Sequence, residues 1–417
     1  MDVLREISAI VSRARAAARA LAVLPHAKKD EALHAIVSRL ARGASRVLEA
    51  NAEDVESARA SGSSGAMLDR LRLDDARIAA MCAAVAHIAA LADPVGTVIE
   101  RSVRPNGLAV SRVRVPLGVI AMIYEARPNV TIEASALCLK AGNAVVLRGG
   151  KEAHRTNLAL AEIVGDALEV AALPRASVSV VPFTDRDAVR ALVQTQGIDL
   201  AIPRGGEALI RFVTEHARVP VVQHYKGVCH LFIDEGADVA VAIALALDGK
   251  LSRPGVCNAL ECLLVDAKDA SRTLPPILRT LLDRGCEIRG CERTRALVPA
   301  VHAATEGDWG REFLERILAV RVVDGIEGAL AHVAQYGSGH TESICTKDAA
   351  RADRWRSDVD AACVVVNAST RFHDGGELGL GAELGIATSR LHWRGPMGLE
   401  ALTTMKWIVD GAGQVRG

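Results

Sequence analysis

GVIAMIYEARPNVTIEASALCLKAGNAVVLRGGK, residues 118 to 151, is the stretch that decides the fold. Gly118 to Tyr124 is an apolar run of strand length, and Glu125-Ala126-Arg127-Pro128-Asn129-Val130 leads out of it. Thr131 to Ala141 predicts a helix ending at Gly142-Asn143, and Ala144 to Leu147 a second strand. Arg148-Gly149-Gly150-Lys151 follows, then a helix over His154 to Ala171 and a strand over Val178 to Val181. Asp187 to Gln194 and Leu200-Ala201-Ile202 add a helix and a strand, which ends in Pro203-Arg204-Gly205-Gly206. Strands alternating with helices make this an α/β chain with a doubly wound parallel sheet. Each of the three polar loops follows a strand, and open parallel sheets bind ligands at the carboxyl ends of their strands. No G-x-G-x-x-G occurs, and a glycine pair alone fits an ordinary turn. Set beside Arg148, Lys151 and Arg204, the two pairs suit phosphate, because glycine admits close approach and the cations supply charge.

Upstream, residues 2 to about 60 read as helices, and Leu68 to Ala92 continues the pattern with Asp74 or Asp75 as cap. Ile99 to Pro116 alternates around Asn106-Gly107, a hairpin signal, and Thr404 to Val409 offers a matching strand. Downstream a second alternation begins. Val239 to Asp248 predicts a helix, Ala259 to Val265 a buried strand and Leu274 to Asp283 a helix. Ala319 to Val323, Gly325 to Tyr336, Ile344 to Thr346 and Cys363 to Val366 follow as strand, helix, strand and strand. This is a second α/β domain.

Of the 417 residues half are apolar, yet no run of eighteen apolar residues exists, so no membrane is expected. Zero formal charge and 3% aromatics exclude a general nucleic-acid surface. The nine cysteines include no C-x-x-C, so no metal is expected. Their odd number, without a secretory leader, points to a reducing cytoplasm.

One cysteine stands apart. Pro254-Gly255 must break the helix that precedes them, so Cys257 falls on a turn between helix and strand. Lys250 and Arg253 lie just upstream, and nearby cations favour thiolate over thiol. Such a thiolate suits acyl transfer. Cys262, inside the apolar strand with no polar neighbour but Glu261, reads as an inert buried thiol. The longest irregular stretch, Val366 to Gly385, is rich in glycine and varied polar groups and reads as a binding loop.

The segment around Cys257 resembles the nucleophile loop of the gamma-glutamyl phosphate reductases, a family of the aldehyde dehydrogenase superfamily. The resemblance covers essentially the whole chain. Gly142 to Arg148 is similar to the superfamily's G-N-x-V-V-x-K, and His224 to His230 to the family's H-x-x-G-x-C-H. Tyr336 to His340 matches Y-G-S-G-H, and Asn367 onward matches N-A-S-T-R-F-x-D-G-G-E-x-G-L-G-A-E. Asp248-Gly249 and Ser252 depart from the usual loop.

The resemblance implies an aldehyde dehydrogenase-like fold. A cofactor-binding domain would span 1–100 and 118–235, with 386–403 returning to it. A catalytic domain would span 236–385, and an oligomerisation arm 101–117 and 404–417. It also implies NADPH-dependent reduction of L-glutamyl 5-phosphate to L-glutamate 5-semialdehyde through a thioester on Cys257. Asn129 or Asn258 would serve as side-chain oxyanion donor. Arg127, Pro128, Arg148, Gly149, Gly150, Lys151, Pro203, Arg204, Gly205, Gly206 and Glu312 would hold the cofactor. Lys151 stands where NAD-preferring relatives often carry an acidic residue, and a lysine suits a 2′-phosphate. Arg253, Asn367, Ser369, Thr370 and Arg371 would hold substrate. Tyr225 takes the place of the glutamate that activates water in hydrolytic relatives, so the thioester would be spared. A homo-oligomer is expected, with a glutamate 5-kinase as candidate partner. The alternatives are a relative oxidising a small aldehyde, or an inactive binding protein on the same fold.

Overall fold

The structure, a computed structural model, describes residues 3–223 and 225–416. The chain forms two compact units: Met1–Gln223 with Leu380–Gly385 and Met397–Gly417, and His224–Gly379 with Ile386–Pro396.

The first unit begins with helices α1 (Val3–Leu21), α2 (His26–Arg42), α3 (Ala44–Ala60), α4 (Gly65–Leu71) and α5 (Asp75–Ala90). In α1 the buried residues Ile7, Ile10, Val11, Ala14, Ala17, Ala18 and Leu21 recur at helical spacing. The continuous helix expected over Leu68 to Ala92 is divided. Asp74 turns out of the helical conformation, and its carboxylate accepts from Arg77 N at 2.8 Å to start α5.

Strands β1 (Val98–Val103) and β2 (Ala109–Pro116) form the expected antiparallel hairpin, with Gly107 at φ +85° in its turn. Next come β3 (Val119–Tyr124), α6 (Pro128–Lys140), β4 (Ala144–Arg148), α7 (His154–Val170), β5 (Val178–Val180), α8 (Arg186–Gln194), β6 (Leu200–Arg204) and α9 (Glu207–His216). These strands make a parallel sheet in the order β5-β4-β3-β6. Every residue of β3 and β4 is buried, as strands covered on both faces require. Helix α6 starts at Pro128 rather than Thr131, because proline's fixed φ and missing N–H suit the first helical position.

The second unit holds β7 (Cys229–Ile233), α10 (Val239–Leu251), β8 (Leu260–Asp266), α11 (Ala270–Asp283), β9 (Glu287–Gly290), α12 (Glu292–Leu297), β10 (His302–Ala303), β11 (Ile317–Val323), α13 (Gly325–Tyr336), β12 (Thr341–Cys345), α14 (Ala349–Asp358) and β13 (Cys363–Val366). The seven strands are parallel, in the order β10-β9-β11-β8-β7-β12-β13. Leu231, Ile233, Leu263 and Val265 pack with residues of α10 and α11 on one face of this sheet. Phe232, Cys262 and Leu264 pack with Ala329 of α13 and Trp355 of α14 on the other. Because β7 pairs with β8 and β12, the division between units falls before it, earlier than the expected boundary after residue 235. Helix α11 also starts earlier than expected and contains Pro275 and Pro276. Burial of Leu274, Ile277, Leu278 and Leu281 outweighs the backbone N–H groups it lacks.

A small pair, β14 (Ile386–Ala387) with β15 (Gly395–Pro396), belongs to the second unit, so only part of the segment expected to return to the first unit does so. Strand β16 (Thr403–Asp410) then pairs antiparallel with β2, completing a three-stranded sheet whose edges are β1 and β16. No described helix is long and apolar enough to cross a membrane.

Candidate active site

Cys257 lies half-buried on the turn between α10 and β8. The base of its loop is closed by Lys250 Nζ and Glu261 Oε2 at 2.6 Å, both side chains fully buried. Leu314 N donates to the other Glu261 oxygen at 3.2 Å. Burial pushes the Glu261 carboxyl up to about 7, although Lys250 pulls it down. The expectation that Lys250 acts as a free cation beside the thiol is therefore corrected: its charge is countered by Glu261. Arg253 is exposed.

The Gly227–Cys229 segment lies against the Cys257 backbone. A Cβ added at Gly227 would stand 2.0 Å from Cys257 O, so only glycine fits. Glu312, expected on a cofactor ribose, accepts from Gly227 N at 2.9 Å. Ser338 Oγ accepts from Val228 N at 2.9 Å, and Cys229 Sγ donates to Cys257 O at 3.2 Å. The H-x-x-G-x-C-H and Y-G-S-G-H matches thus meet at the Cys257 turn. His224, the first residue of the former, lies outside the described residues.

On the other side of the turn stands the loop after β13. Asn258 Nδ2 donates to Arg371 O at 3.3 Å and His373 O at 3.0 Å, and the Arg371 guanidinium donates to Asn258 Oδ1. Thr370 Oγ1 donates to Asn258 O at 2.8 Å. Both amide hydrogens of Asn258 are committed, which removes it as a side-chain oxyanion donor and makes it the tie between two loops. Thr370 is buried and committed likewise. Ser369 Oγ caps the turn through Arg371 N at 3.3 Å. Asn367 sits at φ +54°, and its amide exchanges two bonds with the Thr346 backbone, each at 2.9 Å. Among the expected substrate residues, only Arg253 and Arg371 keep guanidinium hydrogens without a protein acceptor among the described residues.

Cys262 also differs from expectation. Its sulfur lies 3.6 Å from His332 Nε2, within a buried group that includes His230. Arg321 Nη1 faces His332 Nδ1 at 3.0 Å, and His230 Nδ1 pairs with Glu342 Oε2 at 2.8 Å. Burial opposes a charge on His230, but Glu342 outweighs it and raises the pKa to about 10. Arg321 must donate to His332 Nδ1, leaving the proton on Nε2 facing the sulfur, so neither His332 nitrogen offers a lone pair to a metal.

In the first unit the three βα loops stand at the carboxyl ends of β3, β4 and β6. Arg127 caps α6, with Pro128 buried at its first position. Asn129 Nδ2 donates to Glu133 Oε1 at 3.0 Å. Arg148 is corrected as a phosphate ligand. It is buried and donates to Thr184 O at 2.5 Å and Asp185 O at 2.9 Å. Burial lowers its pKa. Gly149 and Gly150 are packed by Asn157 and Glu152, and Glu152 Oε1 accepts from Ala126 N at 2.7 Å. Gly205 lies against Glu125, whose Oε2 accepts from Gly206 N at 2.9 Å. Strand β6 runs through Pro203 to Arg204, which lies half-buried against Gly385. Lys151 is exposed, so an accessible lysine stands at the mouth of these loops and fits an anionic cofactor.

Residues 4–280 match the model of the aldehyde dehydrogenase family. The chain is 58% identical to a gamma-glutamyl phosphate reductase of Sorangium cellulosum, covering 100% of this chain and 99% of the relative. It is 56% identical to one from Anaeromyxobacter sp., covering 96% and 95%. The crystal structure of gamma-glutamyl phosphate reductase from Thermotoga maritima superposes with a TM-score of 0.97 at 45% identity, covering 100% of both chains. The chain belongs to the aldehyde dehydrogenase family, whose members use a nicotinamide cofactor. Within that family it belongs with the gamma-glutamyl phosphate reductases.

Proposed function

We propose that the chain reduces L-glutamyl 5-phosphate to L-glutamate 5-semialdehyde and phosphate with NADPH, the second step of proline synthesis from glutamate. The observation that carries this is full-length identity above half to relatives named for that reaction. The Cys257 thiolate attacks the acyl carbon, the bond to the phosphate oxygen breaks, and phosphate leaves a thioester on the cysteine. The bound cofactor supplies the hydride, and release of the aldehyde returns the thiolate. Arg253 and Arg371 supply charge for the anionic ends of the substrate. Lys151 and Arg204 hold the cofactor's phosphates, with Lys151 reading the 2′-phosphate. Tyr225 provides no base to activate water on the thioester.

The nine cysteines, all free, suit a reducing cytoplasm. The exposed edges β1 and β16 suit pairing with a second copy. A glutamate 5-kinase that hands over the labile acyl phosphate is the protein partner this chemistry favours.

The test is NADPH formation from glutamate 5-semialdehyde with and without inorganic phosphate. Phosphate-dependent formation is expected. Turnover indifferent to phosphate would instead indicate a hydrolytic aldehyde oxidation.

A further inference from the structure

We propose that Cys229 is a positioning residue for the nucleophile, its thiol fixing the Cys257–Asn258 peptide and so the turn that presents Cys257. The inference rests on Cys257 being the nucleophile. The contact is direct: Cys229 Sγ donates to Cys257 O at 3.2 Å. Gly227, on the same segment, packs against that carbonyl so closely that no Cβ fits. Burial, with the Glu342 carboxylate adding, pushes the Cys229 thiol well above its ordinary value, so it stays a donor at working pH.

The contact also belongs to a buried ring. His340 Nδ1 lies 3.6 Å from the Cys229 sulfur and 2.7 Å from Thr341 Oγ1. Thr341 Oγ1 lies 2.8 Å from His373 Nδ1, and His373 O accepts from Asn258 Nδ2 at 3.0 Å. The ring leaves the nucleophile's carbonyl and returns to the next residue. In a trans peptide C=O and N–H point opposite ways. With its carbonyl drawn to Cys229, the peptide turns Asn258 N–H to the other side, where no protein acceptor among the described residues meets it. That N–H is thereby left available as a donor to an oxyanion formed beside Cys257.

The test compares Cys229→Ala, which removes the donor, with Cys229→Ser, which keeps one. Cys229→Ala is expected to lower kcat about tenfold, the equivalent of about 1.4 kcal/mol, with KM for semialdehyde and phosphate held within about twofold. It is also expected to slow alkylation of Cys257 by iodoacetamide, read by peptide mapping. Cys229→Ser is expected to recover most of kcat. Wild-type kcat in Cys229→Ala overturns the proposal. So does an equal loss in both variants that follows a falling denaturation midpoint, since that is a packing effect alone. Should Cys229→Ala be insoluble, Thr341→Val opens the ring elsewhere, and wild-type kcat there overturns the proposal. Cys257→Ala is measured alongside. Activity retained in Cys257→Ala sinks the nucleophile assignment itself, whereas its loss beside wild-type rates in Cys229→Ala sinks only the role of Cys229.

Discussion

Cys257 and Cys262 occupy one short stretch and face different surroundings: a turn braced through its backbone carbonyls, and a strand buried among imidazoles. Cys257→Ser is expected to stay folded and bind cofactor while losing nearly all turnover, because a serine hydroxyl ionises far less readily than a thiol and is the weaker nucleophile. Wild-type rates in that variant would falsify the covalent mechanism. Cys262→Ala should instead lower stability by about 1–3 kcal/mol, read as a lower unfolding midpoint. Lys151→Glu should weaken NADPH about ten- to a hundredfold while sparing NADH, as two cofactor titrations would show. Equal weakening of both cofactors would make Lys151 a support for its loop. The sequence made the place of Cys257 legible because helix, Pro-Gly and strand leave it only a turn. It did not reveal where loop amides and hydroxyls point. Asn258 reads as an oxyanion donor and Asn367 and Thr370 as substrate ligands in a polar loop, yet each is committed to nearby backbone. Arg148 misled for the same reason: a charged residue at a strand end can turn either way.

Among the elements, those with strong periodic or apolar signals were legible. Strands β3 and β4, the β1–β2 hairpin and α13 stand nearly where the residues put them. Strand β7 was missed because Cys229-His230 opens it, and the polarity of that pair is satisfied by distant residues such as Glu342. Helix α14 was missed because only Ala352 and Trp355 are buried, too few to print a stripe. The loop between α10 and β8 depends on its closing ion pair. Lys250→Ala should cost about 1–3 kcal/mol, since it leaves the buried Glu261 carboxyl short of its hydrogen-bond partner. Lys250→Ala with Glu261→Gln should recover part of that loss, and chemical denaturation reads both. Failure of the double variant to recover any would show that the lysine acts by packing alone. Gly227→Ala should abolish turnover, because its Cβ has no room beside Cys257 O. An active Gly227→Ala enzyme would mean that the two backbones separate at no cost.

For the whole molecule, buried titratable groups set a stability optimum. Burial lowers His332 to about 3 and His373 to about 4, from an ordinary 6.5, and raises Glu261 from 4.5 to about 7. Between pH 6.5 and 4.5 the unfolded chain holds two histidine protons that the folded chain lacks. The folded chain holds one on Glu261. On these three groups the unfolded state binds more protons, and stability should fall on acidification. Above pH 6.5, His230 keeps a proton that the unfolded state releases, so stability falls again as pH rises toward its pKa of about 10. Denaturation midpoints from pH 4.5 to 9 should peak near neutrality, and a flat profile would contradict these shifts. Removing residues 407–417 should lower the native mass in light scattering or precipitate the protein. An unchanged mass with full solubility would count against pairing through β16.

Strand β16 also orders events in time. It lies across β2, which leaves the ribosome almost 300 residues earlier. The larger parallel sheet has every strand in hand by Val366, whereas the three-stranded sheet must wait with β2 exposed along one edge. Domains generally fold as units during synthesis, and unpaired strands on a growing chain are where nascent proteins associate wrongly. The second unit is therefore able to mature on the ribosome before the first one is finished. The hairpin meanwhile spends most of translation as an open strand edge that a chaperone has reason to cover.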